Sequence, residues 1–194
     1  MPGTVIQLVA GLGNPGRDYA QTRHNAGFWL VDELARRHGG SWRPEPRFKA
    51  ELARVRIDGA ELWLVKPQDF MNRSGGVTAA VAAFYRIPPE ALLVAHDELD
   101  LPAGAVRLKY GGGSGGHNGL KDLTAHLGEG YWRLRLGIGH PGSRDLVTPF
   151  VLGRASSAEQ ALLDEGTLRG ADTVPRILSQ GAQAVMQSLH TNKA

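Results

Sequence analysis

Apolar residues along the chain fall into short runs bounded by glycine and proline. Residues 4–10 (TVIQLVA) form a β-rich run ended by Gly11 and predict a buried strand. Residues 26–38 (AGFWLVDELARRH) place Phe28, Val31, Leu34 and Ala35 on one helical face, and Gly39 and Gly40 supply the stop. Residues 47–57 and 61–66 predict two strands joined at Asp58-Gly59, a favoured hairpin turn. Ser74 is placed to cap a helix running through Tyr85, which must end before Pro88-Pro89. ALLVAH (91–96) predicts another buried strand, with the polar cluster HDELD at its C-terminal end. AVRLKY (105–110) and YWRLRLGI (131–138) predict two more. Between them, NGLKDLTAHLG spaces Leu120, Leu123 and Leu127 for a helix closed by Gly128. Ser156 and Glu159 fit a capping box that starts a helix, and a last helix is expected over about 174–189. The Gly/Pro-rich stretch HPGSRDLVTPF (140–150) reads as a mobile surface loop.

The order β-α-β-β-α-β-β-α-β-α-α predicts an α/β sandwich around a mixed sheet. A chain of 194 residues suits one well-cored domain, here 1–194, with no repeat or interdomain linker. Absence of cysteine excludes disulfides, Cys-ligated zinc and a thiol nucleophile, and is compatible with a reducing cytoplasm. The N-terminus lacks a basic segment before its apolar run, and Gly11 and Gly13 break that run early. It reads as a strand rather than a signal peptide, and no stretch is long and apolar enough for a membrane span. Net charge is +3, which permits an anionic partner without demanding one, so nucleic acid would need a local basic patch.

Four of the five asparagines sit in glycine-flanked turns: Asn14 in GLGNPG, Asn25 in RHNAG, Asn72 in FMNRSGG and Asn118 in GGGSGGHNGL. Asn25 and Asn118 each follow a histidine. Asn tolerates turns, but it also offers a donor and an acceptor without charge. A pocket of such amides suits a peptide backbone, and His24, Asp97 and His117 supply groups able to move a proton. Two other motifs are weaker. GLGNPG (11–16) matches G-x-G-x-x-G after a strand, but Pro15-Gly16 sits where a phosphate-binding helix should begin. Asp32 and Glu33 then fall inside a helix rather than at a second strand end. GGSGG (112–116) matches a nucleophile elbow, with Ser114, Asp122 and His140 in triad order, yet a run so rich in glycine matches by chance. No H-E-x-x-H spacing supports zinc among His24, His96, Asp97, His117 and His140.

The motifs VAGLGNPGRDYAQTRHNAGFWLVDEL, KPQDFMNRSGG, LLVAHDELDLPAG and KYGGGSGGHNGLKDL, followed by RLRLGIGHPG and FVLG, cover residues 5–153 in order. This set resembles the bacterial-type peptidyl-tRNA hydrolase family. It departs from the family pattern at Arg73, where an apolar residue is common. The resemblance implies a three-layer αβα sandwich around a twisted mixed sheet, without metal or cofactor, in a cytoplasmic monomer. It also implies cleavage of the ester between peptide and the tRNA 3′ ribose in peptidyl-tRNA lost from the ribosome. The partner would be peptidyl-tRNA, through its acceptor stem and 3′ CCA end. His24 would be the catalytic base and Asp97 its partner. Asn14, Asn72 and Asn118 would be pocket amides, with Tyr19, Met71 and His117 beside them. Lys109 and Arg135 would grip the tRNA 5′ phosphate.

These residue types fit that chemistry. Histidine is suited to taking a proton from water near neutral pH, and a neighbouring carboxylate fixes its tautomer. Glu98 and Asp100 compete with Asp97 for that place. Strand alternation puts Arg107 on the face of Lys109 and Arg133 on the face of Arg135. A small-ester serine hydrolase using Ser114, and an RNA-binding module with an inert pocket, are the competing readings.

Overall fold

The first strand, β1 (Leu8–Gly11), is buried along its length. Side chains alternate across a strand, so Val9 joins one core with Leu64 and Leu93, while Leu8 and Ala10 join a second with Val65, Leu92 and Val94. A strand buried on both sides needs helices on both faces. This computed structural model describes residues 4–191. Residues 1–3 and 192–194, included in the expected domain bounds, lie outside the described residues.

After β1 come α1 (Ala26–His38), β2 (Arg43–Glu45), β3 (Ala50–Ile57), β4 (Ala60–Pro67) and α2 (Ser74–Phe84). Then follow β5 (Leu92–Glu98), β6 (Val106–Tyr110), α3 (Asn118–Leu127) and β7 (Trp132–Gly137). The chain ends with α4 (Val147–Val151), α5 (Ser157–Gln180) and α6 (Ala182–Thr191). The strands form one sheet in the order β2-β3-β4-β1-β5-β7-β6. Its centre, β4-β1-β5-β7, is parallel, and β2, β3 and β6 are antiparallel to their neighbours. α1, α5 and α6 cover one face and α2 and α3 the other, which is the expected αβα sandwich. Among the described residues no helix is long and apolar enough to cross a membrane.

Several element boundaries differ from expectation. β1 starts at Leu8, not residue 4. Pro46–Phe48 form a 3₁₀ turn, and Lys49 takes a left-handed φ of 54°, so β3 begins only at Ala50. The exposed edge strand β2 shows no apolar alternation and was not expected. Ser74 lies inside α2 rather than capping it, because its hydroxyl donates to the Met71 carbonyl of a preceding 3₁₀ turn. Ser156 does cap α5, accepting from the Glu159 N–H at 3.2 Å, but the Glu159 carboxylate binds Arg23 instead of closing the box. α5 runs through Pro175, and the break falls at Gly181 (φ 89°), so the helix expected over 174–189 is the end of α5 plus α6. The stretch 140–150 is not a loop throughout: it holds a 3₁₀ turn at Arg144–Leu146 and most of α4.

One contact positions everything downstream. Register pairs Gly11 with Ala95, setting the C-terminal ends of β1 and β5 side by side. The first turn of α1 lies directly on them. A β-carbon on Gly27 would sit 2.5 Å from the Leu12 nitrogen and run into the Ala95 carbonyl, and one on Gly11 would strike the Gly27 carbonyl. These neighbours are backbone and cannot swing aside. Gly27→Ala is therefore predicted to destabilise the fold by about 3 kcal/mol, in the upper range for overpacking, lowering the thermal midpoint by roughly 6–12 °C at this chain length. An unchanged midpoint would show that α1 can lift from the strand ends without cost.

Candidate active site

Asp97 lies next to the last residue of β5 and is 3% exposed. A carboxylate removed from water needs donors, and both of its oxygens have one. Oδ2 accepts from His24 Nδ1 at 2.8 Å, and Oδ1 accepts from His117 Nε2 at 2.8 Å. His24 belongs to the 3₁₀ turn Arg23–Asn25 that leads into α1. His117 is the N-cap of α3, where its Nδ1 accepts from the Gly119 and Leu120 N–H groups at 3.1 and 3.3 Å. An imidazole that accepts at Nδ1 carries its proton on Nε2, so His117 donates to Asp97. His24 donates from Nδ1, which leaves its Nε2 free. Burial alone would raise the Asp97 pKa, but the two imidazoles outweigh it and hold the carboxyl far below the usual range. Burial likewise pulls His24 down, but the Asp97 charge and hydrogen bond more than offset it, so its pKa lies above the ordinary 6.5. His96 stacks edge-on to His117 with ring centres 5.2 Å apart, and its Nδ1 donates to the Asp97 carbonyl at 2.9 Å. Burial and the neighbouring His117 push its pKa down to about 4.

His24, Asp97, His117, Asn118, Val147 and Val151 border a cavity of about 110 Å³. Glu98 and Gly115 separate it from a second, of about 270 Å³, which holds Lys109, Arg133 and Arg135. Register pairs Lys109 with Arg133 and Arg107 with Arg135, so Lys109 and Arg135 sit diagonally on one face. The cations are not equivalent. Arg133 is buried and donates to the Gly112 and Gly113 carbonyls at 2.6 and 2.5 Å, so it holds the glycine loop. Arg135 donates to Glu98 at 2.9 Å, and burial of Glu98 is outweighed by that bond, which lowers its pKa. Lys109 makes no ion pair among the described residues.

The remaining expected site residues surround the centre unevenly. The Asn14 side-chain oxygen accepts from the Met71 N–H at 2.6 Å, which leaves its NH₂ end as a donor. Asn25, 1% exposed, clamps Asn14 by accepting from its backbone N–H and donating to its carbonyl, both at 2.9 Å. Its His-Asn pairing was visible in the sequence, but a clamping role was not. The Met71 side chain is buried in the second core, and Asn72 is exposed on the same turn. Tyr19 stands edge-on to Phe70 at 6.3 Å. Asn14, Tyr19, Met71 and Asn72 do not border the His24 cavity, whereas Asn118 does.

The weaker motifs resolve into structure. Among the described residues no hydrogen bond joins Ser114, Asp122 and His140. The Asp122 carboxylate accepts from the Gly76 N–H at 2.8 Å, and His140 Nδ1 accepts from the Gly142 N–H at 3.0 Å. GLGNPG opens into turns rather than a helix, and Asp32 and Glu33 pair with Lys66 and with Arg36 and Arg37. His24, Asp97 and His117 offer ligand atoms within 4.8 Å of one another, compact enough for an ion. Each contact is nonetheless a direct hydrogen bond, and the second His117 nitrogen is committed to α3.

A histidine with one nitrogen free and the other fixed by a buried carboxylate lies beside a cavity at the C-terminal ends of the parallel strands, where α/β enzymes gather their ligands. The chain belongs to the peptidyl-tRNA hydrolase family, whose model matches residues 8–194. It is 56% identical to a peptidyl-tRNA hydrolase of Halorhodospira halophila, covering 95% of this chain and 96% of the relative. It is 50% identical to one of Neisseria meningitidis, over 96% of this chain and 97% of that one. The crystal structure of the peptidyl-tRNA hydrolase of Acinetobacter baumannii superposes with a TM-score of 0.93 at 46% identity, covering 96% of this chain and 95% of that one.

The geometry predicts an imidazole titration. Followed by NMR, the His24 ring should titrate above 6.5. In Asp97→Asn the charge is gone while burial remains, so the midpoint should fall below that value. A midpoint indifferent to the substitution would mean that Asp97 does not hold His24.

Proposed function

We propose that this chain hydrolyses the ester joining a peptide to the 3′ ribose of tRNA, in peptidyl-tRNA released from stalled or aborted ribosomes, so that the tRNA is recycled. The observation that carries the reading is the 2.8 Å bond between His24 Nδ1 and Asp97, which leaves Nε2 unoccupied at the cavity. His24 Nε2 takes a proton from water as the water oxygen attacks the ester carbonyl. Asp97 holds the tautomer that makes this possible and stabilises the imidazolium formed. As the tetrahedral intermediate collapses, the C–O bond to the ribose breaks, and His24 returns its proton to the departing 3′ oxygen. A positioned base of this kind typically contributes ~10²–10⁴-fold.

Asn118 borders the cavity, and Asn14 has its amide end free. Asn118 is the donor for the developing oxyanion, and Asn14, outside that cavity, the donor for the peptide carbonyl. Asn72 binds the peptide backbone from its exposed turn, with Tyr19 and Met71 shaping that side. His117 shares Asp97 and organises the start of α3. It is not the base, because its Nδ1 already accepts from α3 and its Nε2 donates to Asp97. Lys109 and Arg135 grip the 5′ phosphate beside the acceptor stem, placing the 3′ CCA end at His24. The chain works as one domain, a cytoplasmic monomer, without metal or cofactor.

Release of peptide from N-blocked aminoacyl-tRNA in EDTA tests the mechanism. Wild type should cleave, His24→Ala should lose at least about 10²-fold, and Ser114→Ala should stay near wild type. Cleavage retained by His24→Ala would place the base elsewhere. For the RNA side, Lys109→Ala or Arg135→Ala should lower the log–log salt slope of tRNA binding by about one unit, the share of one phosphate contact. That loss should vanish on tRNA stripped of its 5′ phosphate. An equal loss on both tRNAs would remove the phosphate assignment.

A further inference from the structure

Arg23 precedes His24 yet does not border the catalytic cavity. It is 8% exposed, and its side chain reaches α4 and α5. Nη1 donates to the Phe150 carbonyl at 2.9 Å, Nη2 meets the Glu159 carboxylate at 3.2 Å, and the guanidinium lies 4.0 Å over the Phe150 ring. The Arg23 backbone N–H donates to the Gly153 carbonyl at 3.1 Å. Its Nε is buried without a partner, so the group is held there by what its Nη ends and its flat face touch.

The carbonyl bond and the ring contact fall on Phe150 of α4, the helix that supplies Val147, Thr148 and Val151 to the cavity. α4 has five residues, too few to hold a helix without outside support. Val151 is buried in the first core, and Arg23 binds the carbonyl end. Only a planar fork can donate to a carbonyl and a carboxylate while stacking on an aromatic ring, so lysine is not equivalent here. The Glu159 side chain is 43% exposed, which makes the carbonyl bond and the stacking the stronger part of the arrangement.

We propose that Arg23 is a positioning residue for the substrate: it fixes α4 as a wall of the catalytic cavity. Its loss loosens that wall and weakens substrate binding, while the Asp97-held His24 keeps its chemistry. This rests on the reading of the cavity as the substrate site.

The test compares full-length wild type, Arg23→Lys, Arg23→Met and Glu159→Gln by hydrogen exchange and by steady-state hydrolysis of peptidyl-tRNA. In Arg23→Met, amides of 147–153 should exchange about tenfold or more faster, as for a local opening. KM should rise about tenfold, with kcat and its pH profile close to wild type, the pattern of lost binding rather than lost chemistry. Arg23→Lys should recover part of the loss, and Glu159→Gln should show a smaller shift of the same kind. If Arg23→Met does not fold, these two variants carry the test. Unchanged exchange over 147–153, a loss in kcat at constant KM, or faster exchange with KM unmoved would each overturn the proposal. Failure of the underlying reading shows separately, as cleavage retained by His24→Ala.

Discussion

The site depends on the absence of two β-carbons. Gly11 and Gly27 let the first turn of α1 rest on the ends of β1 and β5, closer than any side chain permits. The 3₁₀ turn before α1 is thereby lowered over β5, and His24 meets Asp97. If the helix sat further out, the histidine would remain in the sequence but not over the carboxylate. The precision of the contact comes from backbone against backbone, which has no rotamers to relax.

Asp97 converts that proximity into a single arrangement. A buried carboxylate is tolerable only with its lone pairs satisfied, and the donors come from two separate elements, the turn before α1 and the cap of α3. One group therefore ties β5 to two helix starts, and it breaks the symmetry between two similar histidines. The ring that caps α3 has both nitrogens engaged, and the other keeps one nitrogen free. In the basic cavity, Arg133 is occupied by the glycine loop and Arg135 by Glu98, whereas Lys109 makes no ion pair among the described residues.

Much of this was legible in the sequence. The β5 run with HDELD at its end placed a carboxylate where parallel sheets gather ligands, and α1 and α3 were marked by apolar spacing and closing glycines. The His-Asn pairs pointed to both histidine turns. Other features left no local signal. The sharing of Asp97 between His24 and His117 joins residues 73 and 20 positions away. The edge strand β2 is exposed and unpatterned. α4 was hidden by two prolines and a glycine that suggested a loop, because its support comes from Arg23 and the core rather than from its own propensity. The helix expected from about 174 begins inside α5, which burial of Ala171, Val174 and Ile177 carries through Pro175. Element types follow local pattern; exceptions arise where distant contacts outweigh it.

The glycine loop between β6 and α3 shows how composition can mislead about motion. Gly111, Gly112, Gly115 and Gly116 adopt left-handed φ values of 58–96°. In the unfolded chain such residues wander over more of backbone space than any others. In the folded protein, Arg133 pins two of the loop's carbonyls from the sheet below. The freedom of these glycines is thus a property of the denatured ensemble, surrendered on folding. What remains is a ridge between the two cavities, interrupted by Ser114, whose left-handed turns favour residues without a β-carbon.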